Sequence, residues 1–171
     1  MTKKYLMKIF GFAGFSGSGK TTLIEKLIPI FNEDGYAVST IKHAHHDFDI
    51  DIQGKDSWRH KRAGAKEVLV ASGKRWALMH ELGEENEPSL SAHLARISPC
   101  DIVFVEGCKH DPIPKLEIHR KAAMNPYLFH EDPNIVAIAC DTFIETKLPV
   151  LDLDRVDLIA AFIKQYLWMA R

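Results

Sequence analysis

The run Gly14-Phe-Ser-Gly-Ser-Gly-Lys-Thr21 constrains this chain more than any other feature, because it matches G-x-x-x-x-G-K-[ST] at every fixed position. Gly14, Gly17 and Gly19 permit backbone conformations closed to residues with a Cβ, so successive N–H groups, with those of Ser16 and Ser18 between them, can converge on phosphate oxygens. A helix starting near Lys20 adds the positive end of its dipole. Lys20 is then expected to reach the β- and γ-phosphates, Thr21 to place its hydroxyl on Mg²⁺, and Thr22 to support the α-phosphate. Such a loop works between a strand and a helix, and the flanks supply both. Leu6–Phe12 is short, apolar and bounded by glycine, as a buried parallel strand should be. After the loop, Leu23, Leu27, Ile28 and Phe31 fall at helical spacing over about Lys20 to Asn32, and Gly35 lies just beyond. Pro29 inside that helix predicts a kink or an early stop. The implied ligand is a purine nucleoside triphosphate with Mg²⁺.

The rest of the chain supplies the layers this loop needs. Ala37–Lys42 reads as a second strand, giving a strand–helix–strand unit with a right-handed crossover. A polar loop follows over His43–Lys55, then a short helix over Ser57–Ala63. Val68–Ala71 and Trp76–Leu82 are strand-like, and Gly73–Lys74 between them predicts a hairpin. Pro88 suits the first turn of a helix ending near Ile97. Ile102–Val105 reads as a buried central strand, Leu116–His119 as a short strand and Ile135–Cys140 as another buried one. The region Met124–Asn134 looks irregular, and Val156–Met169 closes the chain as an amphipathic helix. The prediction is an α/β, P-loop NTPase-like fold: a mostly parallel sheet flanked by helices, with a β-hairpin excursion. The 171 residues suit a single domain, long enough to bury a core without disulfide or metal.

P-loop proteins usually take an acidic group for Mg²⁺ from the end of a neighbouring strand. Glu106, after Ile102–Val105, is the candidate. Asp101 stands at the other end of that strand, roughly 17 Å away at ~3.3 Å per residue. Ligands of parallel sheets bind at the carboxyl ends of strands, which selects Glu106. Lys20 and Glu106 are therefore the residues expected to carry any hydrolysis. Asp47, Asp49 and Asp51 follow the second strand on the same edge; Asp49 stands for them among the expected metal ligands, since the sequence does not separate the three. Lys42 and His43 are expected to line the phosphate site. No N-K-x-D run is present, and Asp141, after Ile135–Cys140, is the candidate base-reading carboxylate, able to accept from the guanine N1–H and exocyclic amine.

Other features leave alternatives open. His43-Ala-His45-His46-Asp47 has ligands suited to a transition metal but lacks the paired spacing of structural zinc sites, and reads equally as a solvated loop. Lys109, His110, Lys115, His119, Arg120 and Lys121 make Cys108–Lys121 basic, either to meet an anionic ligand or as a solvated face. Trp58, Trp76 and Trp168 read as packing residues. The formal charge of −1 offers no broad field for nucleic acid. The three cysteines form no C-x-x-C pair, which points to a reducing cytosol. Lys3 and Lys4 precede an apolar run but no A-x-A-like cleavage site follows, and no segment approaches the ~18 apolar residues of a membrane span. The expected location is cytoplasmic.

Taken together, GFAGFSGSGKTTL (Gly11–Leu23), TIKHAHHDFDID (Thr40–Asp51), GKDSWRHKRAGA (Gly54–Ala65), VFVEGCKH (Val103–His110), PKLEIHR (Pro114–Arg120) and VAIACD (Val136–Asp141) resemble the molybdopterin-guanine dinucleotide biosynthesis protein B family, MobB, over nearly the whole chain. The resemblance implies GTP and Mg²⁺ as ligands, weak GTPase activity and a homodimer. It further implies an adaptor role beside the MobA-like nucleotidyltransferase that joins GMP to molybdopterin, with molybdopterin itself a possible ligand. By position, Gly14–Thr22 would bind phosphate and Mg²⁺, Glu106 would be the acidic partner, and Lys42–Asp51 and the Arg120 region would face nucleotide or cofactor. A related group of ATPases carries lysine directly after the first P-loop glycine, where this chain has Phe15. No arginine is committed as a finger, which suits slow hydrolysis. A small-molecule kinase and a metallochaperone GTPase are the competing readings.

Overall fold

The computed structural model describes residues 7–44 and 48–169. In chain order the elements are β1 (Lys8–Ala13), α1 (Lys20–Glu33), β2 (Val38–Lys42), α2 (Asp56–Arg62), β3 (Glu67–Ala71), β4 (Trp76–His80), α3 (Leu90–Leu94), β5 (Ile102–Glu106), β6 (Lys115–His119), a 3₁₀ turn (Lys121–Ala123), β7 (Ile135–Cys140), β8 (Val150–Asp152) and α4 (Val156–Met169). The chain divides into two compact units, Met1–His45 with His93–Arg171, and His46–Ala92.

The first unit is a six-stranded sheet in the order β2-β5-β1-β6-β7-β8, with every neighbouring pair parallel. Alternation sorts each strand between two faces. Phe10, Phe12, Ile102, Phe104, Leu116, Ile118, Ala137 and Ala139 share one core with Leu23, Ile24, Leu27 and Phe31 of α1 and Ile159, Ala160, Ile163 and Leu167 of α4. The helical residues recur three and four apart, which gives each helix one apolar stripe to lay on the sheet. Edge-to-face rings fill the centre: Phe12–Phe104 at 5.2 Å and Phe31–Phe104 at 5.1 Å between centroids.

Of the kink or early stop expected at Pro29, the early stop does not occur; the helix runs on to Glu33. Proline withholds one N–H from the carbonyl four residues back. Here Glu25 and Pro29 both lie on the exposed side, while Leu27 and Phe31 are buried opposite, so packing carries the helix past the gap. The helix expected from Pro88 is shorter than its pattern and spans only Leu90–Leu94, with Ser89 Oγ accepting from Ala92 N at 3.3 Å. β8 has no counterpart among the predicted strands.

The other face of β6 presents Lys115, Glu117 and His119, all buried. The irregular segment around 127–132 binds them in place of a helix. Glu117 accepts from the N–H groups of Leu128 (2.7 Å) and Phe129 (2.9 Å), and His119 stacks on Tyr127 at 4.0 Å. A segment without secondary structure leaves backbone groups unpaired, and Glu117 pairs two of them.

The second unit contains α2 and an antiparallel hairpin of β3 and β4, in register from Glu67 opposite His80 to Ala71 opposite Trp76. The turn is closed by Ser72 N donating to Arg75 O at 2.8 Å.

Candidate functional site

Because the six strands are parallel, their carboxyl ends share one edge. Chain order switches direction at β1, with β5 on one side and β6 on the other, and ligands of open α/β sheets bind at such a point. The glycine loop leaves β1 there. Lys42 and His43 follow β2, Glu106 and Gly107 end β5, Arg120 follows β6 and Asp141 follows β7.

The loop is built tightly. Gly14 has φ +146°, and a Cβ on it would come within 2.6 Å of the Ile118 carbonyl oxygen and 2.7 Å of Ser18 Oγ. Ser18 is 2% exposed, and its hydroxyl is buried with no hydrogen-bond partner. An orphaned hydroxyl inside a glycine loop between a strand and a helix is suited to an incoming acceptor oxygen. The first helical hydrogen bond runs from Leu23 N to Gly19 O, and no side chain caps α1. The N–H groups at the helix start are thus left without helical partners. These features fit a phosphate chain.

Lys20 Nζ donates to the carbonyls of Gly14 and Phe15, both at 2.9 Å. Burial lowers its pKa from the ordinary lysine value; Lys109 and Lys42 push the same way and Glu106 opposes them. Thr21 Oγ1 donates to Glu106, at 3.0 Å to Oε1 and 3.3 Å to Oε2. A hydroxyl that gives its proton to a carboxylate keeps its lone pairs for a cation. Mg²⁺ needs few protein ligands, since it retains waters and takes phosphate oxygens, so Thr21 and Glu106 are a fitting pair for it.

The end of β2 is drawn to the end of β5. His43 N donates to Glu106 O at 2.8 Å, Lys42 stands in register with Glu106, and Gly107, at φ +98°, comes so close that a Cβ would meet His43 O at 2.6 Å. Asp101, at the opposite end of β5, accepts from Ala37 N at 2.7 Å and secures the start of β2. Arg120 lies against Gly19, with Nε 3.4 Å from where a Cβ would stand. Its Nη1 faces Asp141 Oδ2 at 3.8 Å, while Asp141 Oδ1 accepts from Lys121 N at 2.8 Å.

Of the residues singled out from sequence, Gly14, Ser16, Gly17, Ser18, Gly19, Lys20, Thr21 and Thr22 form the loop and helix start, and Lys42, His43, Glu106 and Asp141 lie on the same sheet edge. Asp49 belongs to the other unit, where its carboxylate accepts from Asp51 N at 3.0 Å. His45, His46 and Asp47 lie outside the described residues. Among the described residues no three His, Cys, Asp or Glu side chains gather as a metal site. Sequence reasoning left Lys109 and Lys115 undivided within a basic stretch. The alternation Lys115-Leu-Glu-Ile-His119 carried no signal of this, because polar residues alternating with core residues ordinarily mark a strand with one solvated face.

A profile described as Molybdopterin guanine dinucleotide synthesis protein B matches residues 9–141. The molybdopterin-guanine dinucleotide biosynthesis adapter protein of Haemophilus influenzae is 42% identical over 159 residues, covering 93% of this chain and 89% of that one. The protein of the same description from Escherichia coli is 38% identical over 174 residues, covering 100% and 98%. A crystal structure of molybdopterin-guanine biosynthesis protein B superposes with a TM-score of 0.74 at 28% identity, covering 93% of this chain and 99% of that one. With sequence matched from β1 past β7 and the fold matched over almost the full length, the chain belongs to the molybdopterin-guanine dinucleotide biosynthesis protein B family, MobB.

Proposed function

We propose that this protein is a GTP-binding adapter for the attachment of GMP to molybdopterin, acting as a cytoplasmic homodimer beside the nucleotidyltransferase and hydrolysing GTP slowly. The observation that carries the nucleotide reading is the Thr21–Glu106 hydrogen bond at the lip of a glycine loop that holds an orphaned Ser18 hydroxyl. The loop N–H groups and Lys20 would hold the phosphates, and Thr21 and Glu106 would hold Mg²⁺. Bound there, Mg²⁺ would neutralise developing charge on phosphate oxygens. Thr22, exposed in the first turn of α1, would support the α-phosphate, and Lys42 and His43 would close the site from β2.

The adapter role rests on the relatives, both described as adapter proteins. Slow hydrolysis agrees with Arg120, whose guanidinium lies at the loop but faces Asp141. The homodimer is supported by exposed Leu69, Val70, Trp76 and Leu78 on the hairpin, apolar surface that a second copy would cover.

Calorimetric titration of GTP and ATP, each with Mg²⁺, tests the reading. GTP should bind in preference, and Lys20→Ala should weaken it by ~2–4 kcal/mol through loss of a charge-assisted contact. Unchanged affinity in that variant refutes the site. Preference for ATP undercuts the adapter reading, which also requires that the protein capture a molybdopterin nucleotidyltransferase in a pull-down.

A further inference from the structure

A lysine inside a sheet must take its charge out of water, and the groups that replace water reveal what the lysine secures. Lys115 opens β6 and is 1% exposed. Its stem fits beside β1 because residue 11 is glycine; a Cβ there would stand 2.8 Å from Lys115 Cγ. Its ammonium donates to Lys109 O at 3.0 Å, Asp111 O at 2.7 Å and Asp132 Oδ2 at 2.7 Å, which uses all its protons. Two of those acceptors are carbonyls of the single loop joining β5 to β6. That loop is fastened at its start as well, where Gly107 seats against the His43 carbonyl and Lys109 N donates to Gly107 O at 2.9 Å.

The backbone of Lys109 is therefore bound at both its N–H and its C=O. Its side chain carries Nζ to 5.4 Å from the ring centroid of Phe15, the second residue of the P-loop. The Phe15 carbonyl also receives Lys20, so Lys109 lies at the end of the loop that Lys20 serves and not at the Thr22 end. With Lys42 beside Glu106 on the neighbouring strand, ammonium groups outnumber carboxylates at this lip, an arrangement that favours an incoming polyanion.

We propose that Lys109 is a further anion-binding residue of the P-loop site, contacting the terminal phosphate of a bound nucleoside triphosphate, and that buried Lys115 is the positioning residue that holds it over Phe15. The proposal rests on the nucleotide reading above and names a part of the site that distinguishes triphosphate from diphosphate. The depression of the Lys20 pKa by Lys109 agrees with their proximity.

Calorimetry with Mg²⁺, using GDP and the β,γ-imido analogue of GTP as probes, tests both residues. Lys109→Gln should weaken the analogue about tenfold and leave GDP within about twofold, because one charge-assisted contact is lost at the terminal phosphate alone. Lys109→Arg should restore most of the discrimination. Lys115→Met should shift the same ratio in the same direction in protein that remains folded by circular dichroism. If that variant does not fold, Lys115→Gln, whose shorter neutral amide cannot serve both loop carbonyls and Asp132 together, replaces it and should shift the ratio likewise. Equal losses for both nucleotides, or none, in Lys109→Gln would overturn the role of Lys109. An unchanged ratio in the folded anchor variant would overturn the role of Lys115. Wild-type protein that binds neither probe would instead sink the nucleotide reading itself.

Discussion

β5 reads Ile-Val-Phe-Val-Glu and β3 reads Glu-Val-Leu-Val-Ala, yet the first buries Ile102 through Val105 and the second buries only Val68. The residues are nearly interchangeable; their surroundings are not. β5 lies between β1 and β2, while β3 has β4 alone. An apolar strand is buried by neighbouring strands and covering layers, and a two-stranded ribbon lacks enough of both. The hairpin consequently leaves Trp76 67% and Leu69 62% exposed. Charges divide the same way. In the sheet unit Lys115 and Glu117 are buried and fully bonded, whereas the hairpin unit pairs Lys61 with Glu81 and Lys66 with Glu85 on its surface.

The largest expected effect tests this contrast between the cores. Phe104→Ala should destabilise the protein by about 3–5 kcal/mol, since it removes a ring packed edge-on between Phe12 and Phe31. Trp76→Ala should change stability by no more than about 0.5 kcal/mol in dilute protein, being a surface substitution. Denaturant unfolding measures both. Equal losses would break the comparison, because the hairpin would then carry a core of its own. A Trp76 effect that grows with protein concentration would sharpen it, by showing that a second copy completes the hairpin.

The ion pairs give the next effect. Asp132→Asn should cost about 2 kcal/mol, below the usual penalty for breaking a buried pair because Asp132 is partly exposed and Lys115 keeps two carbonyls. Burial would raise the Asp132 carboxyl, but hydrogen bonds from Lys115 and Asn134 outweigh it and leave the pKa below 3.8. Its stabilising contribution is thus present above 3.8 and lost as the pH falls through the lower folded value, so the variant and wild type should converge in strong acid. Glu81→Gln, breaking the Lys61–Glu81 pair of the hairpin unit, should have no measurable effect. If it matches Asp132→Asn, burial is not what separates the two regions.

How much was legible follows the same division. The glycine loop, the apolar parallel strands, Glu106 and the hairpin were all written in local pattern, because each depends on residues close in sequence. The early stop offered at Pro29 does not occur because the proline penalty is local while Leu27 and Phe31 are held by distant partners. β8, three residues without periodicity, is recruited by β7 and carries no signal of its own. Lys115 and Glu117 looked like ordinary charged residues because their acceptors and donors come from 109–111 and 128–132, contacts that no spacing rule specifies. Lys109 meets Phe15 from far along the chain, so its place at the loop could not be read from local spacing.

The smallest effect contrasts two glutamates of opposite sign. Glu117 is 1% exposed, and burial raises its pKa above 4.5, while the N–H groups of Leu128 and Phe129 and the nearby His119 and His130 pull it down. Its folded pKa exceeds the unfolded one, so its contribution to stability is complete below 4.5 and is lost as the pH rises through the folded value. Glu85 is exposed, and its hydrogen bond from Lys66 lowers its pKa, so its contribution is present above 4.5 and lost as the pH falls. Unfolding measured from below 4.5 to neutrality should therefore give Glu117→Gln a difference from wild type that drifts one way with pH, and Glu85→Gln a drift the other way. Only the slopes matter, since the glutamine amide also sets an NH₂ against the N–H donors of Leu128 and Phe129. Added salt should flatten the Glu85 slope, because solvent reaches that pair, and leave the Glu117 slope in place. Slopes of one sign, or a Glu117 slope that salt removes, would place both carboxylates in the same environment and end the distinction between a sheet that buries its charges and a hairpin that leaves them in water.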